Sequence, residues 1–97
     1  MNFKVIEERD YTIIHFELKD NITPEILQKL TPPKVNCIKG VILSGRGPVW
    51  FYSYLTHHYH PTKFVAVYDP RLGGAVITES HSQNYKVGEI LKIDVEN

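Results

Sequence analysis

The sequence holds a single cysteine, Cys37, in 97 residues, so no intrachain disulfide can form and no thiolate zinc site can assemble within one chain. Any metal must be held by His, Asp or water. Surplus charge of either sign is also missing, because eleven Lys and Arg balance eleven Asp and Glu. That balance removes the strongly basic surface that grips long DNA or RNA. A nucleic-acid ligand would therefore be small, held by one or two arginines and a few backbone N–H groups. No apolar run is long enough for a membrane span. The segment Met1 to Asp10 alternates polar and apolar residues and carries acids where a signal peptide needs an unbroken apolar stretch. The expectation is a cytoplasmic protein with no membrane partner. Repeats, low-complexity segments and linkers are absent too, so residues 1–97 read as a single domain.

What is present is an α/β pattern. Phe3 to Glu8 and Tyr11 to Lys19 are rich in β-branched and aromatic residues and flank the polar Arg9-Asp10, which predicts a hairpin. Thr23-Pro24-Glu25 opens a short helix that Thr31-Pro32-Pro33 stops. Gly40 to Ser44 and Phe64 to Tyr68 are unbroken apolar runs, as in strands buried on both faces. Between them, Trp50, Phe51, Tyr54, Leu55 and His58 repeat at helical spacing behind Pro48. Strands follow over Ala75 to Glu79 and Ile90 to Val95. Strand, helix and strand in that order make a right-handed βαβ unit. The fold class is α/β, a small Rossmann-like mixed sheet with two helices, a parallel centre and antiparallel edges. A ferredoxin-like sandwich is the alternative.

In open α/β sheets ligands sit beyond the carboxyl ends of the parallel strands. The loops there are Ser44-Gly45-Arg46-Gly47-Pro48 and Asp69-Pro70-Arg71. Each supplies an arginine able to pair two phosphate oxygens, and glycine lets backbone N–H groups approach an oxyanion. Plain tight turns with solvated arginines would carry the same residues. His57 and His60 lie three apart at the end of the second helix, and an antiparallel return brings His81 toward them, a set able to hold a divalent metal or move a proton. Histidines at a helix C-terminus also suit the dipole alone. Asp69 before Pro70 fits a turn opener as well as a ligand or base. Trp50, Phe51 and Tyr54 read mainly as core, whereas Tyr52 lies off their stripe and is free for a surface role.

Taken together, Ser44 to Trp50 (Ser-Gly-Arg-Gly-Pro-Val-Trp), the His57/His60 pair, Ala66 to Gly73 (Ala-Val-Tyr-Asp-Pro-Arg-Leu-Gly) and Ser80-His81-Ser82 resemble the CRISPR-associated ring nuclease family Csx-three. The resemblance covers nearly the whole chain, departing at the paired Gly73-Gly74, where one glycine is usual. It implies a fold similar to CRISPR-associated Rossmann domains, cyclic tetra-adenylate as ligand, and a manganese-dependent cut that switches type III CRISPR antiviral signalling off. His60 and Asp69 are the implied catalytic pair, with Ser44, Arg46 and Arg71 contacting the ring and Gly45, Gly47 and Pro48 completing the loop. A non-catalytic sensor that only sequesters the ring, and a manganese-dependent exonuclease trimming 3′ adenylates of linear RNA, are the competing functions.

His60 precedes the strand Phe64 to Tyr68 and Asp69 follows it. Five strand residues at ~3.3 Å each, with a short lead-in, separate the two by about 15–20 Å. If both act on one phosphodiester, they come from different molecules. The expected assembly is a homodimer that holds the ring, with ligand-driven head-to-tail stacking of dimers.

Overall fold

The computed structural model describes residues 1–95. Six strands form one sheet in sequential order: β1 (Asn2–Glu7), β2 (Tyr11–Glu17), β3 (Gly40–Ser44), β4 (Phe64–Asp69), β5 (Gly74–Ser80) and β6 (Ile90–Lys92). β2, β3 and β4 run parallel, and β1, β5 and β6 add antiparallel edges. The expected parallel centre and antiparallel edges are thus present. Because β3 and β4 are direct neighbours, with no strand inserted between them, the split βαβ arrangement of a ferredoxin-like sandwich is ruled out.

Only one of the two expected helices is an α-helix: α1, Val49–His58. The segment Pro24–Gln28 is a 3-10 helix, with the Ile26 N–H on the Thr23 carbonyl and the Lys29 N–H on the Ile26 carbonyl, both at 3.1 Å. Pro24 and the Pro32-Pro33 pair leave too few residues between them for a stable α-helical run, and the tighter helix is the form short pieces take. The C-terminal strand is also shorter than its apolar run predicts. β6 ends at Lys92, and Val95 leaves the ladder to bury itself against the sheet.

The two faces of the sheet are covered differently. Ile14, Phe16, Val41, Leu43 and Val65 project to one side, where Phe51, Leu55 and Tyr59 of α1 and its C-cap pack on them together with Leu27 and Leu30. Ile13, Ile42, Phe64, Ala66, Ala75 and Ile77 project to the other, against Val95, Tyr85 and Ile93. Both helical crossovers join parallel neighbours in the same direction across the sheet, so right-handedness places both on one side. The second face is closed by the C-terminal segment, with Tyr85 stacked on Phe64 at 4.3 Å between ring centroids. No helix of the described residues is long and apolar enough to cross a membrane.

Strand β5 carries one irregularity. Val65 pairs with Glu79 but Ala66 pairs with Ile77, so Thr78 is an extra residue in β5. Strict alternation would send Glu79 to the Ile77 face; the bulge turns it to the α1 face instead.

Candidate functional site

Two separate clusters form at opposite ends of β4. At the carboxyl ends of the parallel strands, Ser44 closes β3 fully buried, and its Oγ shares a hydrogen bond of 3.1 Å with Nδ1 of His15 on β2. The chain then turns through Gly45 at φ +137°, a value L side chains avoid, and a Cβ there would strike the Phe16 carbonyl oxygen. The Tyr52 hydroxyl donates to the Gly45 carbonyl, and its ring packs edge-on to Phe16 at 5.1 Å. Burial pushes the Tyr52 phenol up to about 12, so it remains a donor at physiological pH. Tyr52 is therefore a clamp on the loop, not the free surface aromatic its place off the stripe suggests.

Arg46 and Gly47 are exposed on this rim, and Pro48 is the N-cap of α1, one residue earlier than a first-turn proline. Beside them, Asp69 ends β4. Its carboxylate accepts the Arg71 backbone N–H at 2.9 Å and pairs with the Arg71 guanidinium at 3.2 Å. These bonds, the guanidinium's first, hold the Asp69 carboxyl below the usual carboxylate range. The Arg71 side chain is otherwise 89% exposed. Both arginine loops thus meet on one rim. Below it lies a cavity of about 570 Å³ lined by His15, Ser44, Arg46, Tyr68 and Pro70, among others.

At the other end, α1 stops as His60 donates its backbone N–H to the His57 carbonyl at 3.2 Å. β5 returns antiparallel and delivers His81, whose Nε2 lies 3.1 Å from the His60 carbonyl oxygen. A carbonyl only accepts, so Nε2 carries the proton and Nδ1 is left as the available ligand atom. Glu79, re-aimed by the bulge, places Oε2 3.6 Å from His60 Nδ1. Ligand atoms of His60, Glu79 and His81 all fall within 4.8 Å of one another. His57 lines the adjoining groove, with Tyr52, Val67 and Thr78, but stands outside that group. The turn after Tyr59 breaks the helical spacing that would keep His57 and His60 on one face. Two imidazoles and a carboxylate suit a divalent ion such as manganese or zinc. Ligands about 2.1 Å from one ion lie at most about 4.2 Å apart, so small side-chain rotations close the set.

Sequence reasoning overlooked His15 and Glu79. The alternation of β2 carried a signal for His15, because a histidine one step from Ile13 on the inward face is a buried imidazole needing a partner. Glu79 carried none, since its direction depends on a bulge that no glycine or proline marks.

The comparisons fit this architecture. The model of the family described as CRISPR-associated protein (Cas_csx3) matches residues 15–92, from the histidine that holds Ser44 to the last residue of β6. A protein of Aquifex aeolicus, described as uncharacterized, is 52% identical over 89 residues, covering 86% of this chain and 78% of the relative. The matched span takes in both clusters, and the chain belongs to the CRISPR-associated Csx3 family.

Proposed function

We propose that the protein is a metal-dependent ring nuclease that binds cyclic tetra-adenylate on the Ser44–Pro48 and Asp69–Arg71 rim and cleaves it against the histidine cluster of another molecule. The observation that carries this reading is the division of labour between the two ends of β4. One end gathers two arginines, an open loop and the α1 N-terminus, which suit phosphates. The other gathers His60, Glu79 and His81, which suit a divalent ion and proton transfer.

In this reading Arg46 and Arg71 neutralise the phosphates, and Ser44 with the Gly45 backbone orients the ring. Phosphate arriving on Arg71 competes with Asp69 for the guanidinium and releases the carboxylate toward the substrate. His60, steadied by Glu79, takes the proton from the attacking oxygen or gives one to the leaving oxygen. Manganese would be held by Glu79 and His81 beside His60, where it would supply Lewis-acid charge at the phosphate and leave the His60 imidazole free for the proton. The six-residue β4 separates Asp69 from His60 by about 15–20 Å, so the complete site joins two molecules, with a homodimer as the unit that holds the ring.

The test is incubation with manganese and either cyclic or linear tetra-adenylate, resolved by chromatography. Cyclic substrate should be cut, and His60→Ala should lose at least about a hundredfold in rate, the usual scale for a general acid or base. Trimming of linear tetra-adenylate with the ring left intact would replace this reading with a 3′ exonuclease. Tight ring binding without turnover in any divalent metal would leave a sensor.

A further inference from the structure

We infer that the cavity beneath the arginine rim is a nucleobase pocket, in which the buried His15–Ser44 pair reads a base edge that sets one donor beside one acceptor. The pocket deepens the ring-binding function proposed for the rim and rests on it for the identity of the base, adenine. Three observations carry it. The first is burial: His15 is 5% and Ser44 1% exposed, yet both line a cavity of about 570 Å³, within the usual range for small-molecule sites.

The second is hydrogen-bond satisfaction. His15 Nδ1 is taken by Ser44 Oγ, and Nε2 forms no hydrogen bond among the described residues. No buried side-chain nitrogen or oxygen there lacks a partner, so Nε2 keeps an opening, and the cavity is what His15 opens onto. Whichever tautomer holds, the pair then shows the cavity one donor and one acceptor. If Nδ1 donates to Ser44, the serine hydroxyl can donate outward and Nε2 accepts; if Ser44 donates to Nδ1, Nε2–H donates and the serine oxygen accepts. That is the complement of adenine's amino group and its neighbouring ring nitrogen.

The third is the character of the walls. Tyr68 and Pro70 offer flat surfaces for a base. Among the described residues Arg46 is the one Lys or Arg side chain lining the cavity, while Glu17 lines it with a negative charge. A phosphate is repelled from that interior and stays on Arg46; a neutral base with an exocyclic amine is not.

The experiment measures affinity by calorimetry for cyclic tetra-adenylate and for the same ring built from unsubstituted purine, which lacks the amino group. Wild type should prefer adenine by at least about tenfold, the loss expected when a site built for a hydrogen bond meets a base without it. His15→Phe should bring the two rings to equal affinity, whereas Arg46→Ala should weaken both equally and keep the preference. A folded His15→Phe protein with the wild-type preference overturns the pocket. If His15→Phe does not fold, Ser44→Ala decides in its place, with an unchanged preference again overturning the proposal. If wild type binds neither ring, the ring reading fails by itself. The pocket is then judged by the same ratio measured with linear tetra-adenylate and linear tetra-purine, where an absent or His15-independent preference overturns it.

Discussion

At the residue scale, charge and glycine placement on the rim make separable claims. The Asp69 carboxyl is depressed chiefly by its hydrogen bonds to Arg71, so it stays ionised further into acid than a free aspartate, which titrates near 4. A depressed carboxyl favours the folded, paired state above that ordinary range and loses the advantage as pH falls through its lowered value. Arg71→Ala removes the larger cause, the guanidinium, and leaves the backbone N–H, so the Asp69 titration followed by carboxylate NMR should move part of the way up toward the ordinary range; no movement would show that the side-chain pair does not persist in solution. The two positive-φ glycines of the rim should differ in cost. Gly45 has both a forbidden φ and the Phe16 carbonyl in the path of a Cβ, whereas Gly73, at φ +64°, has nothing within 4 Å. Gly45→Ala should therefore cost at least ~2 kcal/mol in denaturant unfolding, and Gly73→Ala only about 1 kcal/mol. Equal costs would mean that the loop shifts to accommodate the new methyl. Gly73 supplies the left-handed corner of the turn that ends with the Asp69 to Gly74 pairing.

At the element scale, legibility followed the strength of the local signal. β3, α1, β4 and β5 were readable to within one or two residues because each apolar run is bracketed by glycine, proline or a polar cluster. The first helix was misread because capping residues mark where a helix begins and say nothing about whether it has room to continue. The histidine cluster was half legible: topology brought His81 back to His60, but the replacement of His57 by Glu79 depends on the bulge at Thr78. The carboxylate's place in the set can be tested directly. Deleting Thr78 makes Ile77 and Glu79 consecutive, still opposite Ala66 and Val65, so Glu79 stays on the α1 face and manganese affinity should hold. In Glu79→Ala that affinity, followed by electron paramagnetic resonance, should fall about 10–100-fold, while His57→Ala stays within about threefold of wild type. A His57→Ala loss as large as that of Glu79→Ala would restore the all-histidine set.

At the scale of the whole molecule, the question is how two clusters at opposite ends of one strand can serve a single reaction. The rim carries, besides Arg46 and Arg71, two exposed apolar side chains, Val49 at 83% and Leu72 at 45%, which favours a protein surface meeting this end as well as a ligand. A rim of one molecule against the histidine edge of the next is a heterologous contact, and contacts of that kind propagate instead of closing. Assembly, and with it cleavage, should then rise with protein concentration and be driven by the ring itself. Two inactive variants provide the sharper test. His60→Ala keeps the rim, while Asp69→Asn keeps the histidine edge and, through its side-chain oxygen, the turn that accepts the Arg71 N–H. Neither should cut alone. Mixed in equal amounts, random stacking pairs an intact rim with an intact histidine edge in about a quarter of contacts, so cleavage should return to about a quarter of the wild-type rate. The recovered rate should peak at equal mixing and fall steeply on dilution, because the active species is formed between molecules. With both variants folded and sedimenting as wild type does in the presence of the ring, failure of every mixture to cut would place His60 and Asp69 within one subunit or dimer and remove the stacked assembly from the mechanism.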